Sequence, residues 1–147
     1  MKEKIIKITI TQQDVDVYNK LYFDKHPKAK KNRIDGPCHP TLNWYMTANN
    51  LSVNNKKQDW KEFMIHTLEV LNLENCCIDK CKIEYRTFFK DKRKRDIDNI
   101  TPKVILDGLV AGNFIVADDM THIVELTTSC GYDKENPRIE LIFYILE

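Results

Sequence analysis

The chain has 147 residues, a length that suits one domain with a hydrophobic core of its own. A hydrophobic content of 42% and a charged content of 31% are ordinary for a globular protein and argue against a disordered or fibrous chain. The formal net charge is only +1, so overall charge identifies no partner and only its distribution is informative.

Nothing in the sequence predicts a membrane segment or an exported protein. No apolar stretch approaches the roughly 18 residues of a membrane-spanning helix, and the N-terminal MKEKIIKITI lacks the apolar segment of a signal peptide. Five cysteines, an odd number, indicate reduced thiols in a cytoplasmic protein. Because CCIDKC is not a CxxC knuckle, incidental thiols are favoured over a zinc site. Such a site would draw on Cys38, His39, Cys76, Cys77 and Cys81.

The chain begins with a predicted strand over residues 4 to 10, where Ile6, Ile8 and Ile10 share one face. Residues 11 to 40 contain three prolines, one glycine and a cluster of basic residues. They are therefore predicted to be a loop-rich N-terminal extension of the domain.

A helix is predicted from about Lys56 to Asn72, with Asn54 or Asn55 as its N-cap. Its apolar side chains recur at helical spacing and are expected to face the core. This stripe consists of Trp60, Phe63, Met64, Thr67, Leu68, Val70 and Leu71.

The second half of the chain alternates strands with one more helix. Residues 82 to 89, KIEYRTFF, have the period of a strand. A helix is predicted from Thr101 to Ala111, with Thr101 as N-cap, Pro102 at the first helical position and Gly112 just after its end.

Two final strands are predicted over residues 121 to 129 and 137 to 146, joined by the polar turn GYDKENP. The predicted order is β-α-β-α-β-β. It describes one α+β domain over residues 1 to 147, with helices packed on a mixed four-stranded sheet.

Acidic residues are concentrated at two points, Asp96 with Asp98 and Asp118 with Asp119. In an extended chain, residues i and i+2 point the same way and lie about 6 to 7 Å apart, a separation that suits two oxygen ligands of one hard cation. If the two pairs meet, the third strand should start beside the end of the second strand and run antiparallel to it.

Convergent carboxylates repel one another, and a bound Mg²⁺ or Mn²⁺ would turn this crowding into an advantage. Lys103, in the first turn of the second helix, would bring an ammonium group near the same place, and Asp107 one turn later could pair with it. The alternative is an acidic helix start followed by a surface turn, because a DxD pattern alone is a weak signal.

A basic run, made of Lys90 and residues 92 to 95, precedes the first acidic pair. Divalent metals beside cations are typical of a site that cuts a phosphodiester, with the metal activating water and the cations holding phosphates. Four aromatic residues could stack on exposed bases, although core packing is the more common role. They are Phe88, Phe89, Trp44 and Tyr45.

The segment RKRDIDNITPKVILDGLVAGNFIVADDMTHI resembles the signature of the RusA family of Holliday junction resolvases, many of them carried on prophages. That signature has a basic run, Asp-x-Asp-Asn, a lysine soon after, an Asp-Gly/Ala-Leu helix, and Asp-Asp before a strand. The upstream HPTLN is similar to the family's Pro-Ser-Leu-Asn element. The family commonly has two residues between the asparagine and the lysine, whereas this chain has three, and a later helix start at Pro102 would absorb the extra residue.

The resemblance implies a RusA-like fold and a homodimer that resolves four-way DNA junctions by paired symmetric nicks with Mg²⁺ or Mn²⁺, in DNA recombination and repair. The implied catalytic residues are Asp96, Asp98, Asp119 and Lys103. The metal ligands would be Asp96, Asp98, Asp118 and Asp119. The predicted DNA-binding residues are Lys92, Arg93, Lys94, Arg95, Lys30 and Lys31.

Two other functions compete with a bacterial or prophage-encoded nuclease. A junction-binding protein without turnover would keep the basic surface and the dimer, and the shifted Lys103 favours it. A nucleotide-sugar transferase would use the DxD pair for its metal, but that chemistry normally needs a much larger α/β domain than 147 residues provide.

Overall fold

The computed structural model describes residues 4–38 and 40–146. Strands and helices follow one another along the chain as β1 (Lys4–Thr11), α1 (Gln12–Lys25), α2 (Leu42–Thr47), α3 (Asn50–Val70), β2 (Lys80–Phe89), a short 3-10 helix (Ile97–Asn99), α4 (Lys103–Ala111), β3 (Ile123–Tyr132) and β4 (Arg138–Leu146). The predicted α+β class with a mixed four-stranded sheet is confirmed.

The sheet has the strand order β1-β4-β2-β3. β4 pairs antiparallel with both β1 and β2. β2 and β3 are parallel, from Cys81 opposite Ile123 to Phe89 opposite Tyr132, with one register shift between Cys81 and Lys82. The predicted antiparallel pairing of the second and third strands is therefore wrong. Parallel neighbours need a crossover connection, and α4 is that crossover.

The end of the crossover shows why β3 starts beside the start of β2. Residues after α4 pair with the segment before β2, through the backbone bond from Cys77 to Asn113 and the parallel bridge between Ile78 and Ile115. These hydrogen bonds join residues far apart in sequence, so they leave no local pattern.

The core lies between the sheet and the helix pair α3–α4. Strands β1, β2 and β4 and both helices contribute side chains that are almost fully buried, among them Ile8, Phe63, Ile83, Leu109 and Phe143. The two helices approach closely at Gly108, where an added Cβ would lie 2.5 Å from Cβ of Met64.

The prediction that residues 11 to 40 are mostly loop is wrong for α1. Thr11 and Asp14 form a capping box, in which the Thr11 hydroxyl accepts from the Asp14 backbone and the Asp14 carboxylate accepts from the Thr11 backbone. The buried Asn19 side chain then exchanges hydrogen bonds of 2.8 and 2.9 Å with the Ile34 backbone. A polar residue at a buried position hides the apolar period by which a helix is recognised.

Two helix starts also differ from the prediction. α3 begins at Asn50 with Asn49 as N-cap, a turn and a half before the predicted start, and α4 begins at Lys103 with Pro102 at the N-cap position. At the end of the predicted stripe, Val70 is 65% exposed and Leu71 43% exposed, because the last turn of α3 extends beyond the core.

The end of α4 uses a different residue from the one expected. Gly112 is the C-cap and has an ordinary φ of −86°, while the next residue, Asn113, takes the left-handed conformation with φ of 58°. Asparagine tolerates this conformation better than most side chains.

Candidate active site

The basic run is organised by Asp91. The Arg95 guanidinium donates to the Asp91 carboxylate over 2.8 Å, and the Arg93 backbone N–H donates to the same carboxylate over 3.1 Å. The Arg93 N–H, followed by Arg95, lowers the pKa of Asp91 below its ordinary value. Asp91 thus folds the run back onto the end of β2, a role that sequence reasoning missed.

Aromatic side chains on the sheet hold two of the cations. The Arg95 guanidinium lies 3.9 Å from the Phe89 ring centroid, and the Lys92 ammonium lies 5.1 Å from that of Tyr132 on β3. Cation–π contacts of this kind fix a side chain in place while leaving its charge available. Phe89 therefore supports a cation.

Lys92, Arg93 and Lys94 are exposed, and Arg95 is partly buried. Beside them is an open cavity of about 450 Å³ that also reaches Asp96. Its lining consists of Thr41, Asn43, Arg93, Lys94, Arg95, Asp96, Asn99 and Ile100. The cavity brings guanidinium and ammonium groups next to a carboxylate, as a site that handles a phosphodiester requires.

The first acidic pair is carried by the 3-10 helix. Asp96 is its extended N-cap, with φ of −83° and ψ of 133°, and Asp98 lies within the helix. The expected extended geometry from Asp96 through Asp98 is wrong, because the chain turns at Ile97. Both residues are exposed, and neither carboxylate forms a hydrogen bond or ion pair with any described residue. Free carboxylate oxygens are the donor type that Mg²⁺ and Mn²⁺ prefer.

Asn99 joins the acidic turn, residues 96 to 98, to α2. Its side-chain oxygen accepts a hydrogen bond from the Asn43 backbone N–H over 2.8 Å, and Thr41 caps the same helix by accepting from the Trp44 N–H. Residues 41 to 43 belong to HPTLN, so the two separated parts of the sequence signature touch. Apart from the resemblance, no sequence signal pointed to this contact.

The second acidic pair lies in the turn before β3. One oxygen of the Asp119 carboxylate accepts from the Thr121 hydroxyl over 2.6 Å and lies 2.7 Å from Nδ1 of His122. The Thr121 hydroxyl, followed by His122, holds the pKa of Asp119 well below its usual range. Nε2 of the same histidine lies 3.6 Å from the carboxylate of Asp79, at the start of β2. Asp118 is exposed.

The two acidic pairs belong to opposite ends of β2. Asp119 lies beside the start of that strand, whereas Asp96 follows its end, and ten residues of strand span about 30 Å. Within residues 4–38 and 40–146, no group of three or more acidic, histidine or cysteine side chains could hold a metal ion. A single chain therefore does not assemble the expected four-carboxylate site. The metal-binding role of each aspartate stays a prediction.

Lys103 is exposed at the first position of α4. The helix starts directly after Pro102, so the extra residue between Asn99 and Lys103 lies in the loop and does not rotate the helix. The structure records no ion pair between Lys103 and Asp107, both of which it describes. The catalytic role of Lys103 stays a prediction.

The basic cluster of the N-terminal extension, residues 28 to 33, divides into two parts. Lys30 and Lys31 are exposed in the loop after α1. Arg33 has a structural role, because its guanidinium lies 2.9 Å from the Asp59 carboxylate and 3.4 Å from that of Glu62 on α3. Unlike Arg33, Lys30 and Lys31 are therefore available to a polyanion, as is the exposed Lys28.

The cysteines are free thiols, and the candidate zinc ligand His39 lies outside the described residues. Burial raises the pKa of the Cys38 thiol to about 11, so this group is neutral at physiological pH and a poor metal ligand. As for membranes, no described helix combines the length and the apolar content needed to cross a bilayer.

Comparison with known families identifies the family of this chain. The sequence matches the family described as Endodeoxyribonuclease RusA over residues 2–143, almost its whole length. No curated protein matches it. The match includes the basic run, the acidic turn, α4 and the turn before β3, the elements from which the candidate site is built. The chain therefore belongs to the RusA family of endodeoxyribonucleases, enzymes that cut DNA at crossover junctions.

Proposed function

We propose that this protein is a metal-dependent endonuclease that resolves four-way DNA junctions by paired symmetric nicks, in DNA recombination and repair. The observation that carries the proposal is the open cavity of about 450 Å³ in which Arg93, Lys94 and Arg95 adjoin Asp96. Family membership supplies the reaction class. The cytoplasmic and prophage-borne setting expected from the sequence stays a prediction.

The basic run binds the DNA backbone in this proposal. Arg95 is preorganised by Asp91 and Phe89, so little side-chain entropy is lost when it contacts a phosphate. Lys92 and Lys94 add exposed charge, and each phosphate contact releases counterions. Lys30 and Lys31 would extend this surface along a second arm of the junction.

The acidic turn holds the metal in this proposal. Asp96 and Asp98 offer unpaired carboxylate oxygens, with Asp118 and Asp119 as further ligands. When bound, Mg²⁺ or Mn²⁺ supplies an acidified water and neutralises charge at the scissile phosphate. The ammonium of Lys103 contributes charge at the departing oxygen.

A homodimer would bring the two acidic pairs together. β3 is an edge strand that exposes Val124 and Leu126, each 43% exposed, and such an edge readily pairs with another chain. In a two-fold antiparallel pairing of β3 with its copy, the start of one strand lies beside the end of the other. Asp119 of the second copy would then approach the turn that contains Asp98. Two such sites match the two cuts that a symmetric junction needs.

The test is Asp98→Asn in the full-length protein. We expect nicking of a synthetic four-way junction to fall by at least a hundredfold, because a neutral amide is a poor ligand for Mg²⁺, while junction affinity changes less than threefold. Asp24→Asn, at an exposed position on α1, is the matched control. Nicking that survives in Asp98→Asn would contradict the proposal.

A junction-binding protein without turnover is the second candidate. It is favoured by the separation of the acidic pairs within one chain. Nicking by the purified protein, with and without Mg²⁺, separates the two. Junction binding without any Mg²⁺-dependent nicking would support the binding function.

A further inference from the structure

A second pocket lies close to the acidic turn. It has a volume of about 310 Å³ and lies between α3 on one side and residues 35 to 38 and 40 to 44 on the other. Trp44 and Lys56 form its walls, together with Asp35, and Trp60, only 2% exposed, lies at its base. The nuclease roles proposed above use none of these side chains.

The pocket is continuous with the basic run. An adjoining cavity of about 320 Å³ shares Asp35 and Thr41 with it and reaches Lys90 and Arg95. Thr41 and Arg95 also line the cavity that contains Asp96. A groove therefore leads from Trp44, past the cations, to the acidic turn.

The polar groups of the pocket are held in a defined arrangement. The Lys56 ammonium lies 3.1 Å from the Asp35 carboxylate and 6.0 Å from the centroid of the Trp44 ring. The pocket thus offers an aromatic face, one hydrogen-bond donor and one acceptor. Its volume is at the lower end of the roughly 300–1,000 Å³ of ligand pockets, which suits a single flat ring system.

We propose that this pocket takes one unstacked nucleobase from the DNA strand whose phosphates lie on the basic run. The inference rests on the proposed function and adds a base-binding subsite to it. The indole of Trp44 supplies a stacking surface for any base. A base next to a strand crossover is cheaper to unstack than one inside a continuous duplex.

The edges of the pocket can bond any of the four bases. The Asp35 carboxylate can accept from the exocyclic amino group of adenine, cytosine or guanine, or from the ring N3–H of thymine. The Lys56 ammonium donates to a neighbouring ring nitrogen or carbonyl oxygen. The pocket therefore holds an unstacked base without selecting among the four.

The experiment measures junction affinity without divalent metal, so that no cleavage is needed. A series of four-way junctions carries one abasic residue at each successive position around the crossover. For the unaltered protein we expect the abasic residue to weaken binding about fivefold or more at one position, the loss of one stacked base. Trp44→Ala should show no such penalty there. Trp44→Phe should retain it, and so should the control Met46→Ala, on the exposed face of the same helix.

The Asp35 side chain is 83% exposed, so Asp35→Ala tests the pocket without risk to the fold. At the position found with the abasic series, Asp35→Ala should weaken binding of the unmodified junction severalfold and leave binding of the abasic junction unchanged. An abasic penalty that persists in Trp44→Ala, or no position-specific penalty, would overturn the inference and leave the proposed nuclease standing. Failure of the unaltered protein to bind the junction would overturn both.

Discussion

The side-chain oxygen of Asn99 lies 2.8 Å from the backbone nitrogen of Asn43 and accepts its hydrogen bond. This bond links the acidic turn after β2 to the start of α2, where backbone N–H groups have no partner within the helix. It therefore fixes the turn that carries Asp98 against the groove that leads to Trp44.

Replacing Asn99 by leucine should release the acidic turn. The bond is exposed, so the Asn43 N–H that loses its partner can bond to water instead. We therefore expect the free energy of unfolding to fall by only about 1 kcal/mol. Nicking should fall about tenfold or more, since a positional shift of a catalytic carboxylate is costly. Junction nicking and thermal unfolding check this expectation together. Asn99→Asp keeps the acceptor oxygen and should restore most of the activity if the hydrogen bond is the cause.

Asp91 should titrate below the ordinary value of 3.8 because the Arg93 N–H and the Arg95 guanidinium stabilise its charged form. A depressed folded-state pKa stabilises the protein above the unfolded pKa, and this contribution is lost as the pH falls through the folded pKa. The folded basic run should thus be intact at neutral pH and loosen below about pH 4. Carboxyl chemical shifts measured against pH report the pKa directly.

Two variants separate the causes of that shift. Arg95→Gln removes a direct donor and should move the pKa of Asp91 back toward its ordinary value. Arg93→Gln keeps the backbone N–H, so it should move the pKa less. Equal shifts in both variants would mean that general charge, and not the Arg95 hydrogen bond, sets the titration.

Gly108 should tolerate no branched side chain. An added Cβ would lie 2.5 Å from Cβ and 2.8 Å from Cγ of Met64, so α3 and α4 must move apart. We expect Gly108→Val to lower the free energy of unfolding by about 2–3 kcal/mol, which corresponds to a melting temperature lower by roughly 6–10 °C. Ala111→Ser, at the exposed end of α4, is the control. An unchanged melting temperature in Gly108→Val would contradict the close packing of the two helices.

The edge strand β3 should carry the dimer contact. Leu126→Glu places a charge on the exposed apolar side of this edge and should convert the proposed dimer to a monomer, as measured by light scattering. Val17→Glu, at an exposed position on α1, is the matched control and should leave the dimer intact. If Leu126→Glu remains dimeric, another surface joins the copies.

Loss of the dimer should also impair catalysis if each metal site draws on both chains. In that case the Leu126→Glu monomer should lose Mg²⁺-dependent nicking even at protein concentrations that saturate the junction. Full nicking by the monomer would indicate that Asp119 is dispensable or acts within one chain.

Local patterns in the sequence were sufficient for most elements. The alternation in KIEYRTFF predicted β2, and the apolar spacing of Ile105, Leu106 and Leu109 predicted the buried face of α4. Both patterns report which face of an element is buried, and burial repeats with the period of the backbone. Helix α1 was missed because its buried Asn19 carries no apolar signal, although it bonds to the backbone of Ile34.

The sequence by itself determined the family signature, the α+β class and the presence of a basic run next to an acidic turn, since all of these are encoded in neighbouring residues. The tertiary structure alone decided that β2 and β3 are parallel, that Asp119 lies at the other end of β2 from Asp96, and that Asn99 contacts Asn43. These relationships depend on hydrogen bonds between distant parts of the chain. Strand direction is set by how the crossover helix packs, and a one-dimensional pattern does not record it.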